Sequence, residues 1–487
     1  MNYQFYSGFT SELEKIAKVK TPLKEHQLRV VKRMLEEDQE GLVVAHGLGS
    51  GKTLTSLAVI DALKQPTDVV VPASLQDNYA KEQRKHTSGI KLEIQSLQNI
   101  ARKRRVPSKP VLIIDEAHRA RNPDTAQYRT LAASPAKKRM LLTASPIYNH
   151  PSDLAPLVNI AAGNKVLPLN KKDFENAYIL KKKISPGFWK SLIGIKPGEL
   201  AELNPDKRDE LNEVMRKWVD YQENSREGFP EKTTTTIKVP MTEEQLKVHD
   251  SILGKAPFWV RMKVRAGLPP SKSESKQLNS FLTGTRQISN TTKAHQPDAV
   301  PQEPKIEDAF RRLKKVLKEK GKKGKAVVYS QYLSAGIEPY KRRLEEAKIP
   351  YGEFTGKMRK KERDQLIRDY NTGKKKVLLL SRAGGEGLDL VGTNLVQIME
   401  PHWNNEAINQ VIGRAVRYGS HAHLPKKDRK VQIQKFLARR PDPGFFGKLI
   451  GSDKDRATDE YLQMLADNKD LLNIQFIDLL KGSTSEQ

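Results

Sequence analysis

The sequence predicts an α/β protein with two separate parallel-sheet units, a mostly helical insertion between them and a C-terminal helix. Three observations carry that prediction. Short apolar runs alternate with helical stretches from residue 42 to 142, the alternation returns after residue 326, and a polar, lysine-rich stretch separates the two. A parallel strand buried on both faces reads as an unbroken apolar run, and its parallel neighbour needs a crossover helix, so this alternation specifies βαβ units.

In chain order, Leu42–Ala45, Val69–Val71, Val111–Ile114 and Met140–Leu142 are predicted strands, with helices beginning near Lys52, Leu75 and Thr125. The second set has strands at Ala326–Tyr329, Val377–Leu380 and Leu395–Met399, and helices near 337–347 and 360–371. Between 161 and 304 strand signals fade, and the stretch closes on the proline-containing HQPDAVPQEPK, which reads as a linker. Tyr461, Leu465, Leu472, Phe476 and Leu480 recur at near-helical spacing, so 456–481 is expected to dock as a helix on the second unit. The expected boundaries are an extension over 1–20, a first unit over 21–160, insertion and linker over 161–304, a second unit over 305–440 and a tail over 441–487.

Composition narrows the function. Against 86 Lys+Arg stand 58 Asp+Glu, a formal charge of +28, and such an excess fits a polyanionic partner, nucleic acid before membrane. Hydrophobic residues make up 37%, enough for real cores. No cysteine is present, which excludes disulfides, thiolate metal sites and cysteine nucleophiles. Nowhere do 18 consecutive apolar residues occur, and the N-terminus lacks an apolar signal core, so a soluble intracellular protein with no membrane partner is expected.

Two motifs specify chemistry. His46-Gly47-Leu48-Gly49-Ser50-Gly51-Lys52-Thr53 follows the first strand and opens a helix. Glycines let the backbone curl so that successive N–H groups face phosphates. Lys52 neutralises the β and γ groups, and the Thr53 hydroxyl ligates magnesium. The strict pattern has glycine where this chain has His46. Further on, Val111–Ile114 runs into Asp115-Glu116-Ala117-His118. A strand ending in two carboxylates places Asp115 to hold magnesium and Glu116 to polarise an attacking water. The chemistry expected of the pair is Mg²⁺-assisted attack of water on the phosphate of a bound nucleotide.

With these motifs the chain resembles the helicase and translocase ATPases of superfamily two, in the Swi/Snf-like DEAH-box branch, and among them those of large DNA viruses and phages. Leu141 to Asn149 resembles their third motif. Leu23-Lys24-Glu25-His26-Gln27 resembles the segment whose glutamine reads adenine, and Val70 to Ser74 the one touching the nucleic-acid backbone. In the second unit Val328 to Gln331 and Phe354-Thr355-Gly356 resemble backbone-gripping motifs. Ser381 to Leu390 resembles motif five and Gln410 to Arg417 motif six. Pro401-His402-Trp403-Asn404-Asn405 is similar to the Swi/Snf signature with Trp-Asn-Pro.

The resemblance implies two RecA-like lobes and gives roles residue by residue. Gln27, Gly47, Gly49, Ser50, Gly51, Lys52, Thr53, Gly387 and Asp389 would bind ATP. Glu116, Lys52, Gln410, Arg414 and Arg417 would serve catalysis, the two arginines three apart on one helical face. His118, Thr143 and Ser145 would couple hydrolysis to grip. Pro72, Ser74, Ser330, Gln331, Thr355, Gly356 and Ser381 would touch nucleic acid, duplex DNA in preference to RNA. The implied activity is ATP-driven translocation. Two alternatives stay open: an RNA-directed ATPase or transcription factor acting on an RNA polymerase, and a basic scaffold or virion protein without turnover. His421 and His423 lack the company that a metal site needs.

Overall fold

The computed structural model describes residues 18–47, 49–184, 197–223, 228–293, 295–354, 358–381, 388–403, 405–442 and 455–485. Two compact units emerge. The first comprises 1–180, 201–225 and 471–487, and the second 181–200 and 226–470.

The first unit is built on β1 (Gly41–His46), β2 (Thr67–Val71), β3 (Leu92–Ser96), β4 (Val111–Ile114) and β5 (Lys138–Thr143). After the two-stranded ribbon β6 (Ile179–Ile184) and β7 (Gly198–Leu203), the chain returns to this sheet as β8 (Val219–Gln222). The order is β3-β2-β4-β5-β1-β8, with every pair parallel. Side chains alternate between two apolar layers. Val43 and Ala45 face one, while Leu42 and Val44 face the other. That double covering is why the strands read as unbroken apolar runs.

The second unit carries β9 (Glu231–Pro240), β10 (Ala326–Tyr329), β11 (Tyr351–Phe354), β12 (Val377–Leu380), β13 (Leu395–Ile398) and β14 (Lys430–Arg439). Their order is β11-β12-β10-β13-β14-β9, again all parallel. Val327, Leu378 and Val396 pack on one face, and Val328, Leu379 and Leu395 on the other. A smaller helical core gathers Leu253, Val260, Val264, Leu278 and Leu282 with Tyr461, Leu462 and Leu465.

Three expectations need correction. The stretch 161–304 carries more helix than strand, as expected, but it also holds β6 to β9 and gives one strand to each sheet. Its strands escape pattern reading because β8 is four residues long and mixed, and β9 begins with the exposed Thr233–Thr236. The edge strand β3 was likewise silent, since only its last two residues are buried. Finally, the Thr458–Ser485 helix serves both units. Tyr461 and Leu465 pack in the second as expected, but Leu472, Phe476, Leu479 and Leu480 belong to the core of the first.

Candidate active site

β1 delivers the phosphate-loop sequence to the start of the Lys52–Leu63 helix. Gly49 and Gly51 take left-handed backbone conformations, at φ +76° and +80°. A Cβ on Gly51 would sit 2.5 Å from Gln27 Nε2, so only glycine fits there. Lys52 Nζ donates to the carbonyls of His46 at 2.9 Å and Gly47 at 3.0 Å. Desolvation lowers the Lys52 pKa against the pull of the Glu116 and Asp115 carboxylates. Their mutual field shows that the fold brings this lysine and the carboxylate pair together. Ser50 Oγ is buried with no hydrogen-bond partner among the described residues, and Thr53 lies in the helix's first turn.

β4 ends at Ile114, and the Asp115 amide still donates to Val70 O, so the carboxylate pair hangs directly off the sheet. Burial first, then the neighbouring Glu116 carboxylate, pushes the Asp115 carboxyl up to about 6. Glu116 has a left-handed backbone, φ +52°, a strained conformation for a non-glycine residue. Two carboxylates beside one lysine, one of them strained upward, leave negative charge that a divalent cation would balance. Carboxylate and hydroxyl oxygens are the donor type that Mg²⁺ takes. Among the described residues no three His, Cys, Asp or Glu cluster as a self-sufficient metal site, so any Mg²⁺ held here would draw its other ligands from phosphate and water.

His118 sits 3.3 Å from Glu116 through Nδ1, and the same nitrogen is 3.4 Å from Thr143 Oγ1. Thr143 Oγ1 in turn accepts from the Ser145 amide at 3.1 Å. The DEAH turn and the end of β5 are thus joined by one short chain of polar contacts, in which all three residues named for coupling take part.

Gln27, expected to read a base, is hydrogen-bonded within the protein at both ends of its amide. It is buried, with Nε2 donating to the Ser50 and Gly51 carbonyls at 3.2 Å each and Oε1 accepting from the Lys24 amide at 2.8 Å. The Nε2 end of the amide thus braces the phosphate loop, and the Oε1 end caps the start of its own helix.

For the nucleic-acid residues the picture is mixed. Pro72 is buried at the turn after β2, and Ser74 is exposed beside it. Ser330 is fully buried, with its hydroxyl on Glu400 Oε1 at 2.5 Å, so its side chain holds the strand end together and does not face a ligand. Gln331 donates from its amide to Glu400 Oε2 and from Nε2 to Pro401 O. Ser381 is buried after β12. Thr355, Gly356 and Gly387 lie outside the described residues.

The arginine pair also differs from expectation. The Asn405–Ala415 helix contains the exposed Gln410 and carries Arg414, but it ends before Arg417, so the two arginines do not share a helical face. Ser420 explains the stop: its hydroxyl donates to Arg417 O and accepts from Arg417 N, holding a turn in place of another helical residue. Arg417 Nη1 donates to Leu388 O at 3.2 Å and pairs with the exposed Asp389 at 3.3 Å, so motifs five and six are tied within the second unit. His421 spends its nitrogens on Ser420 Oγ and Thr393 O, a structural role.

What the sequence did not reveal is a buried network behind the phosphate loop. Asp220, on β8, accepts from His46 Nε2 at 2.6 Å and from Arg29 Nε and Nη2 at 2.9 Å each, with Arg33 Nη1 at 3.4 Å. His46 in place of the usual glycine was the one available signal.

Comparison with known proteins agrees with these features. An SNF2-related domain model matches residues 93–294, and a helicase conserved C-terminal domain model matches 308–419. A protein of Acanthamoeba polyphaga mimivirus, named as the ATP-dependent RNA helicase L538, is 29% identical over 471 residues, covering 92% of this chain and 94% of its own. An African swine fever virus termination factor NPH-I homolog is 26% identical over 562 residues, covering 92% and 76%. A solved structure, the Sulfolobus solfataricus SWI2/SNF2 ATPase core in complex with dsDNA, aligns over 95% of this chain and 97% of that one at 19% identity and a TM-score of 0.37. With a phosphate loop and DEAH carboxylates on one sheet, motif six on another, and both domain models matched in order, the chain carries an SNF2-related domain and a helicase conserved C-terminal domain, the parts of an ATP-dependent helicase, and it is similar to proteins of large DNA viruses.

Proposed function

We propose that this ATPase is a Mg²⁺-dependent translocase on duplex DNA, in which the first unit binds and hydrolyses ATP and the second supplies Arg414 and Arg417 to the γ-phosphate. The observation that carries the reading is the grouping of Lys52, Asp115 and Glu116 at the ends of β1 and β4 in one unit, while the motif-six arginines belong to the other. Lys52 holds the β and γ phosphates. Asp115 and Thr53 hold Mg²⁺, which when bound neutralises phosphate charge. Glu116 orients a water and takes its proton as the water oxygen attacks the γ-phosphorus and the bond to ADP breaks. Charge that builds on the γ-phosphoryl oxygens is met by the arginines. Because both units then touch the triphosphate, its hydrolysis alters their grip, and alternation of grip moves the protein along a phosphate backbone.

The charge of +28 supports a polyanionic track, and the SNF2-related match supports duplex DNA, since Swi/Snf relatives commonly translocate without unwinding. The names of the two viral relatives favour a second reading, an RNA-directed or transcription-linked ATPase. ATP turnover measured side by side with duplex DNA, single-stranded DNA, duplex RNA and single-stranded RNA decides between them. Strongest stimulation by duplex DNA supports translocation on DNA, and strongest stimulation by single-stranded RNA replaces it with the second reading.

A further inference from the structure

We propose that Asp220 and His46 form a positioning pair that sets the phosphate loop in its ATP-binding shape, so that a residue of the insertion controls nucleotide affinity. The inference rests on the nucleotide-site reading above and adds to it a group that no phosphate-loop pattern contains.

The geometry is specific. Asp220 is fully buried on β8, the outermost strand beside β1. A buried carboxylate costs several kcal/mol unless it is compensated, and here the compensation is nearly complete. Oδ1 accepts from His46 Nε2 and Arg29 Nη2, and Oδ2 accepts from Arg29 Nε, with Arg33 Nη1 nearby. Burial alone would raise its pKa, but Arg29 and His46 hold it well below the usual carboxylate range. It is therefore ionised at every working pH.

His46 is equally buried, and burial lowers its pKa, with the His26 ring and Arg29 acting in the same direction against Asp220. Its Nδ1 has no hydrogen-bond partner among the described residues, so a second ring proton would have no acceptor. The neutral ring thus donates from Nε2 to Asp220, and its orientation is fixed. Fixing the ring fixes the backbone. The His46 carbonyl accepts from Lys52 Nζ, and the next amide, Gly47 N, donates to Gln222 O at 2.9 Å, two residues past Asp220 on the same strand. β8 therefore grips the first two residues of the loop by side chain and by backbone together.

Arg29 and Arg33 extend the grip to the Glu25–Leu35 helix, which carries Gln27 against the Ser50 and Gly51 carbonyls. His26 Nε2 adds a contact to Ser50 O at 2.9 Å and sets its ring edge-on to His46, centroids 5.2 Å apart. The carboxylate of Asp220 is the one group that touches the helix, the loop's first residue and the insertion strand at once. A rigid, correctly curled loop needs no reordering when phosphate arrives, so loss of the pair should appear in affinity before it appears in the chemical step.

The test is a titration of the full chain with a fluorescent ATP analogue, alongside kcat, KM and thermal unfolding, for Asp220→Asn, His46→Leu, His46→Gln, the His46→Leu/Asp220→Asn double variant and Lys52→Ala. Loss of the charge-assisted hydrogen bond should raise Kd about tenfold in Asp220→Asn and His46→Leu, with kcat at saturation much less affected. His46→Gln keeps a side-chain N–H donor and should recover most of the affinity. The double variant should bind no worse than the weaker single, because both changes break one contact. A merely structural role would lower the fraction of active protein and leave Kd alone. Should Asp220→Asn fail to fold, the Leu and Gln variants of His46 still decide. Wild-type Kd in folded His46→Leu, or additive losses in the double variant, overturns the proposal. Wild-type Kd in Lys52→Ala instead overturns the nucleotide-site reading on which it rests.

Discussion

The two sheets share a plan and differ in what hangs from their strand ends. Both are six-stranded and wholly parallel, with central strands buried along most or all of their length. In the first unit the ends of β1 and β4 gather charge: an ammonium, two carboxylates and a strained backbone at Glu116. In the second, the ends of β10 and β13 are closed on themselves. Glu400, buried after β13, accepts from Ser330 Oγ, Gln331 N and Asn290 Nδ2, and burial raises its pKa. The first strand ends thus carry a charged cluster, and the polar groups of the second are consumed in holding the loops. The motif-six arginines of the second unit stand apart from both, on a helix and the turn after it.

That contrast can be broken by substitution. The largest effect is expected at Arg417, whose change to Ala should lower kcat by about 10³ to 10⁵ while ATP affinity changes little. Lys should rescue poorly, lacking the planar fork. Steady-state turnover with and without DNA checks this, and a kcat within a few-fold of wild type would remove the arginine from catalysis. Next comes Glu116→Gln, expected to cost about 10² to 10⁴ in kcat and to leave analogue binding intact, because an amide still hydrogen-bonds but takes no proton.

Smaller and of another kind is Glu400→Ala. It should leave Ser330, Gln331 and Asn290 without their acceptor at a cost of about 1–3 kcal/mol, read in denaturant unfolding, with nucleotide affinity unchanged. Glu400→Gln keeps an acceptor and discards the charge that burial penalises, so it should lose less. An effect of either on ATP affinity would erase the distinction between the two sets of strand ends.

The mildest prediction concerns pH. Asp115 is raised to about 6 in the folded protein. The folded state therefore holds this proton more tightly than the unfolded one, and stability is lost as pH rises from the ordinary carboxyl range near 4 through 6. Asp115→Asn should be more stable than wild type above pH 6 in the absence of nucleotide, and the advantage should vanish below pH 4. Equal unfolding midpoints at pH 7.5 would contradict it.

Legibility in the sequence followed the locality of the signal. The phosphate loop, the DEAH turn and the strands beneath them lie in continuous text, where glycine placement, apolar runs and paired carboxylates state their purpose. Arg417 was legible as a motif residue, but its helix was not, because Ser420 ends that helix through a bond that spacing does not encode. The network at Asp220 was illegible for a stronger reason. Its partner His46 is 174 residues away, and a short mixed strand such as β8 is a strand only because β1 offers it an edge. Ser330 and Gln27 show the limit of motif reading: both are where the motifs put them, yet their side chains serve the protein's own backbone and carboxylates.

The placement of β8 has a consequence for how the molecule comes into being. Synthesis delivers β1 and the phosphate loop early, but the edge of β1 stays open until residues 219–222 emerge, and Leu472, Phe476 and Leu480 complete the same core only after the second unit has been made. A nascent chain at that stage carries an uncovered parallel-strand edge and an incomplete apolar layer, the features that recruit chaperones and promote aggregation. The unit that begins first is thus the last to finish, and a fragment cut at residue 160 would present the ribosome's intermediate and not a lobe.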